Sequence, residues 1–261
     1  MASHETYYVP AQSKWPIIAS VGLLLTVFGG GSMINGMSSG TGSAAGKWIF
    51  FAGALTIAYM MFGWFSSVVK ESDQGLYSQQ MDRSFRMGMG WFIFSEVMFF
   101  AAFFGALFYA RTFAGPWLGG DGSPGQLPLF NTIILISSSV TVTFAHHALR
   151  ADKRGATKAW LGLTVLLGVI FLVLQALEYQ HAYHDLGLTL NSGIYGSTFF
   201  MLTGFHGAHV TMGTLILAIM LIRITRGHFT PDKHFGFEAA SWYWHFVDVV
   251  WVGLFVFVYI L

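Results

Sequence analysis

The sequence predicts an all-α integral membrane protein of seven transmembrane helices, with the N-terminus inside and the C-terminus outside. Three observations carry that reading. Only 10% of the 261 residues are charged and 54% are hydrophobic, whereas a soluble domain averages about 25% charged residues. Seven apolar runs reach the ~20 residues that a helix rising about 1.5 Å per residue needs to cross roughly 30 Å of hydrocarbon. Lys and Arg concentrate on alternate connections between those runs, which is the positive-inside pattern.

The spans are expected at 15–35, 48–69, 87–110, 127–149, 159–180, 195–222 and 239–261, in one transmembrane domain over 1–261. The first 14 residues are polar and lead into a long apolar run with no clear cleavage site, so the first span reads as retained rather than as a signal peptide. Spans one, two, four and six contain no Asp, Glu, Lys or Arg, and span five has none before Glu178. Spans three and seven each contain one acid, Glu96 and Asp248. Span six is longer than a crossing requires and can tilt. Gly36–Gly46, Pro116–Pro128 and Asp185–Gly193 mark three of the connections.

One face carries Lys14; Lys70, Arg83 and Arg86; Arg150, Lys153, Arg154 and Lys158; and Arg223, Arg226 and Lys233. The other carries only Lys47 and Arg111. This asymmetry places the N-terminus inside and supports the count of seven, because a missed span would scramble it. Trp15, Trp64, Trp242, Tyr243 and Trp244 are expected in an inner aromatic belt, with Trp48 and Tyr259 near the outer interface. Gly29-Gly30-Gly31, Ala101 with Gly105, and Gly204 with Ala208 put small residues on helix faces, where they let backbones approach in lipid.

Composition excludes several functions. With no cysteine, disulfides, iron–sulfur ligation, thiolate copper and Cys-x-x-Cys-His haem attachment are ruled out. Net charge is +1, which supports no nucleic-acid partner. No span contains a lysine for a retinal Schiff base. Prolines are confined to termini and loops, so the broken helices of secondary transporters are not signalled. No catalytic set is apparent, and no catalytic residues are assigned.

What remains is a short set of polar groups in the membrane. Glu96 falls ~15 Å from the first end of its span, near the bilayer centre. A carboxylate there is costly unless neutral, paired or hydrated, and such groups are functional candidates. His206 and His209 lie at i and i+3 on span six, in the layer of Glu96, and one of them is expected to hydrogen-bond it. His245 and Asp248 share the same spacing on span seven and read as a buried polar pair. Glu178 and Asp185 are placed at the outer interface, His146-His147 at the solvated inner face, and Glu71 at the inner end of span two. A metal site needs three or four converging ligands with outer support. The histidines read as scattered, so no metal ligand is assigned.

Three stretches carry a family resemblance: Trp91 to Phe100 (WFIFSEVMFF), Tyr195 to Val210 (YGSTFFMLTGFHGAHV), and His234 to Trp251 (HFGFEAASWYWHFVDVVW). With Ala145-His146-His147, Gln175 to Tyr179 and Trp15-Pro16, the chain resembles the cytochrome c oxidase subunit III family from Trp15 onward, in its seven-helix form. The resemblance implies a core subunit of a proton-pumping haem–copper oxidase of the aerobic respiratory chain, with no redox centre of its own. Haems and copper would reside in partner subunits. It implies that helices one and two splay from helices three to seven around a lipid-holding cleft. It implies subunit I as the main contact, with subunit II also in the complex, support of proton uptake, and protection from inactivation during turnover.

By position, Glu96 matches the family's buried, carbodiimide-reactive glutamate. Glu71, Arg86, Arg223, Trp64 and the span-six histidines match candidate contacts to structural phospholipids. Basic side chains at inner helix ends suit phosphate. One departure is local: where many relatives carry a Trp pair followed by Arg-Asp, this chain has Trp64-Phe65-Ser66-Ser67. The expected location is a bacterial plasma membrane in preference to a mitochondrial inner membrane. Two rival readings are a stand-alone proton or solute channel built on Glu96, His206 and Asp248, and a membrane metalloenzyme.

Overall fold

Pro16 sits at the start of the first helix, where a missing N–H costs nothing and a fixed φ favours the first turn. From there α1 runs Trp15–Ser38. The computed structural model describes residues 8–9, 12–39, 44–113, 126–184, 187–189 and 192–260. Its other elements are α2 (Ala44–Asp73), α3 (Gln79–Phe113), α4 (Gln126–Arg150), α5 (Arg154–His184), α6 (Gly193–Thr225) and α7 (Phe235–Leu254), which continues into a π-helical stretch, Phe255–Ile260. Among the described residues the architecture is all-helical, and seven helices are long and apolar enough to cross a membrane.

The helices outrun the apolar runs that announce them. Helix α3 begins at Gln79 and α5 at Arg154, several residues before their apolar runs. Backbone hydrogen bonding continues past the hydrocarbon, so the polar turns stay helical where side chains reach water. Lys70, Arg111, Arg150 and Arg223 occupy last turns, where a cation meets the negative end of the helix dipole. Between α4 and α5 the chain reverses through Asp152 at φ 55°. The Lys153 N–H donates to Ala148 O at 2.9 Å there, so the last carbonyls of α4 are satisfied in a Schellman-type cap.

The described residues form two compact units, Met1–Ser84 and Phe85–Leu261. In the first, α1 and α2 make a hairpin whose backbones meet at glycines. A Cβ on Gly29 would fall 2.3 Å from Phe50 N, and one on Gly53 2.4 Å from Thr26 N. Gly63 gives way to the Trp15 ring, whose Nε1 donates to Ser67 Oγ at 3.3 Å. Of the expected small-residue contacts, Gly29 is one, but Gly31 and Gly105 face open space. Glycine composition alone does not say which side of a helix is covered.

In the second unit α4 packs on α5, α5 on α6, α6 on α7, and α7 back on α4. Trp244 and Trp251 of α7 are fully buried at the centre. Their indole N–H groups donate to Ser138 Oγ at 2.9 Å and to Thr132 Oγ1 at 3.0 Å, both on α4. Trp244 is therefore a core residue and not part of an interfacial belt, and Tyr243 is buried beside it. Its ring occupies the space left by Gly168 and Gly213, where a Cβ would stand 2.9 and 2.8 Å from it. Helix α3 joins this ring through aromatic side chains: Phe99 meets Phe205 at 5.2 Å, and Phe100 meets Phe246 at 6.0 Å.

Candidate functional site, a partly buried acid and its imidazole

Glu96 lies midway along α3 and His209 midway along α6. Glu96 Oε2 and His209 Nε2 are 3.0 Å apart. The other ring nitrogen, Nδ1, is 2.7 Å from the Phe205 carbonyl oxygen. A carbonyl only accepts, so Nδ1 carries a hydrogen. The Glu96–His209 bond then holds one proton. Either a carboxylic acid donates to a neutral ring, or an imidazolium donates to a carboxylate. Phe100 and Phe246 close edge-on around the ring, at 5.0 and 6.2 Å, and Tyr243 lies parallel to it at 6.3 Å. The side chains of Glu96 and His209 retain 22% and 16% exposure.

Of the two span-six histidines, only His209 meets Glu96. His206 is turned one face away, 1% exposed, with Nε2 3.2 Å from Val247 O and its ring 5.0 Å from that of Trp251. Its Nδ1 has no hydrogen bond.

The His245–Asp248 pair is looser than its spacing suggests. Nδ1 and Oδ2 are 4.0 Å apart, too far for a hydrogen bond. His245 instead bonds Ser139 Oγ at 2.6 Å and Thr143 Oγ1 at 3.4 Å. Neither carboxyl oxygen of Asp248 has a hydrogen bond. Glu178 is 7% exposed, so it belongs to the interior rather than the interface. It lies among Gln175, Asn131 and the Tyr259 hydroxyl, with Asn131 Nδ2 donating to Gln175 Oε1 at 3.4 Å. Asp185 lies outside the described residues.

Of the residues matched to lipid contacts, Glu71 and Arg223 lie in the last turns of α2 and α6, Arg86 in the early part of α3, and Trp64 inside α2. Tyr77 donates to Glu71 Oε2 at 2.7 Å. Burial, and then this bond to a carboxylate, push the Tyr77 hydroxyl well above its ordinary range. Trp64 is half exposed beside Phe65. Arg86 Nη1 pairs with Glu238 Oε1 at 2.5 Å, and its guanidinium lies 5.4 Å from the Phe235 ring centre. The Arg223 guanidinium lies 4.4 Å over Phe229, whose carbonyl accepts from Arg154 Nη2 at 2.6 Å.

One grouping escapes sequence reasoning. His146, His234 and Glu238 each bring a ligand atom within 4.8 Å of the others, the one such group among the described residues. His147, the other half of the His pair, is exposed. The only local signal is the i, i+4 spacing of His234 and Glu238.

A family model described as cytochrome c oxidase subunit III matches residues 4–261. The chain is 42% identical over 264 residues to a cytochrome c oxidase subunit 3 from Pongo abelii, covering 98% of this chain and 97% of that protein. It is 41% identical over 268 residues to the Prototheca wickerhamii protein of that name, covering 99% and 98%. It is 42% identical over 267 residues to the Arabidopsis thaliana one, covering 99% and 97%. Similarity of this extent over the whole length leaves no doubt of descent, and the chain belongs to the cytochrome c oxidase subunit III family.

Proposed function

We propose that this chain is the redox-inert third subunit of a proton-pumping oxidase of the aerobic respiratory chain. Its work is to assemble with the haem- and copper-bearing subunit I, alongside subunit II, to hold phospholipid, and to support proton uptake during turnover. The family gives the complex. The single observation that carries the proton role is the Glu96–His209 bond, which holds one proton in a mostly aromatic setting. Moving that proton across the 3.0 Å gap interconverts the neutral and charged forms. No further catalytic group is needed in this chain.

A redox-inert role is supported by how the membrane histidines are engaged. His206, His209 and His245 each bond a different protein group and do not converge on one point. The channel reading is less well supported. His206 bonds a carbonyl and Asp248 has no hydrogen bond, so Glu96, His206 and Asp248 form no relay among the described residues.

Arg86 and Arg223 are proposed as phospholipid contacts, with Glu71 and Trp64 beside a headgroup. A phosphate would share Arg86 with Glu238. The apolar faces of α1 to α3, including Trp48, Phe62 and Trp91, are read as turned to lipid or to partner subunits. The seven helices are proposed as one transmembrane domain, N-terminus inside, on the basic-residue asymmetry. The relatives come from Pongo, Prototheca and Arabidopsis, organisms with mitochondria. That weighs toward the mitochondrial inner membrane and against the bacterial plasma membrane preferred from sequence.

The test is co-purification. A tagged chain should bring down haem-containing partners and should not conduct protons when reconstituted alone in liposomes. Conduction by the chain alone would contradict the reading.

A further inference from the structure

We infer that His146, His234 and Glu238 form a binding site for a divalent transition-metal ion, with zinc-type coordination. His146 comes from the C-terminal part of α4, just before its last turn, His234 from the N-cap of α7, and Glu238 from the first turn of α7. One ligand atom from each lies within 4.8 Å of the other two. The imidazole rings are 5.3 Å apart, centre to centre.

Two atoms in this group are otherwise unexplained. His146 Nε2 and His234 Nδ1 are buried and have no hydrogen-bond partner. Buried ring nitrogens without partners are costly, and two of them on residues grouped with a carboxylate point to a missing common partner. That partner is a cation. Glu238 pairs with Arg86 through Oε1, and a carboxylate has a second oxygen with which to meet an ion.

The donor set selects the ion. Two imidazoles favour zinc and its neighbours, whereas magnesium and calcium take oxygen shells. Zinc accepts nitrogen and carboxylate ligands at ~2.0–2.2 Å, so modest side-chain rotations would draw these three groups onto one ion. Three protein ligands leave a fourth position for water or for a group from a neighbouring subunit. Zinc has no redox chemistry, so the site is compatible with a subunit that carries no electrons. Its effect would be to clip the end of α4 to the start of α7. Arg86 is a built-in competitor, because it holds the same carboxylate and adds positive charge beside the ion.

The test is titration of the full-length chain, purified in detergent and stripped with a chelator, using Co²⁺ as an optical probe. We expect one Co²⁺ per chain with the visible absorption of a low-coordinate nitrogen–oxygen site. Zn²⁺ should displace it and Mg²⁺ should not. His146→Gln and His234→Gln should each weaken binding about tenfold or more. Arg86→Gln leaves every ligand in place and should tighten binding several-fold. X-ray absorption of the zinc-loaded wild-type chain, which needs no variant, should show two imidazoles in the shell. No stoichiometric Co²⁺ binding, histidine variants that bind like wild type, an Arg86→Gln chain that binds no tighter, or an all-oxygen shell would each overturn the inference.

Discussion

Glu96 Oε2 and His209 Nε2 stand 3.0 Å apart, joining the middle of α3 to the middle of α6. Because Nδ1 of the same ring donates to Phe205, the pair binds one proton whichever atom holds it. An acid that is costly alone in the membrane thereby has a hydrogen-bond partner.

Glu96→Gln tests what that proton does. A glutamine amide still donates to Nε2, so shape and hydrogen bonding survive. The complex is expected to assemble with modestly reduced turnover, measured as oxygen consumption and subunit content after purification. Loss of the whole complex would mean that the carboxyl itself is structural.

His209→Phe should be worse for stability than Glu96→Gln. It removes the carboxyl's partner and leaves the partly buried acid without one, a cost of about 1–3 kcal/mol. Thermal unfolding of the two single variants and the double variant should show coupling between the sites of at least ~0.5 kcal/mol. Strict additivity would deny the bond any energetic role.

Gly53→Val should break the α1–α2 hairpin. Its Cβ would fall 2.4 Å from Thr26 N, and backbone cannot yield as a side chain can, so a cost of about 1–3 kcal/mol is expected. Gly105→Ala is the control, because nothing lies within 4 Å of that Cβ. It should be neutral or slightly stabilising. Protease sensitivity of the α1–α2 connection distinguishes the two.

Tyr77→Phe removes the bond to Glu71 Oε2 and should cost about 1 kcal/mol at neutral pH. The folded state holds the phenol above its unfolded value of about 10. Its contribution is therefore complete below that value and is lost as pH rises through the higher, folded one. Wild type and Tyr77→Phe should converge in stability only at strongly alkaline pH, as read by denaturant unfolding.

The spans were legible because a chain in hydrocarbon must satisfy its own backbone, and helices do so within one segment. Their ends were not. The apolar signal stops at the interface, while α3 continues back to Gln79 and α5 to Arg154. That Glu96 needs a partner followed from its depth, but the choice between His206 and His209 depends on the rotation of α6. The position of Trp244 near a span end suggested a belt, although Gly168 and Gly213 already supplied the space that buries it. Asp248 and His245 have the right spacing, yet Ser139 from another helix takes the histidine. The His146–His234–Glu238 group joins distant parts of the chain, and only the packing of α4 against α7 reveals it.

We propose that this subunit contributes helices, lipid contacts and an acid–imidazole pair, while electrons pass through its partners. The most direct test is a reduced-minus-oxidised optical spectrum of the chain separated from its partners, beside that of the complex from which it came. Haem bands are expected in the complex and a flat spectrum for the separated chain. Stoichiometric haem in the separated chain would contradict it.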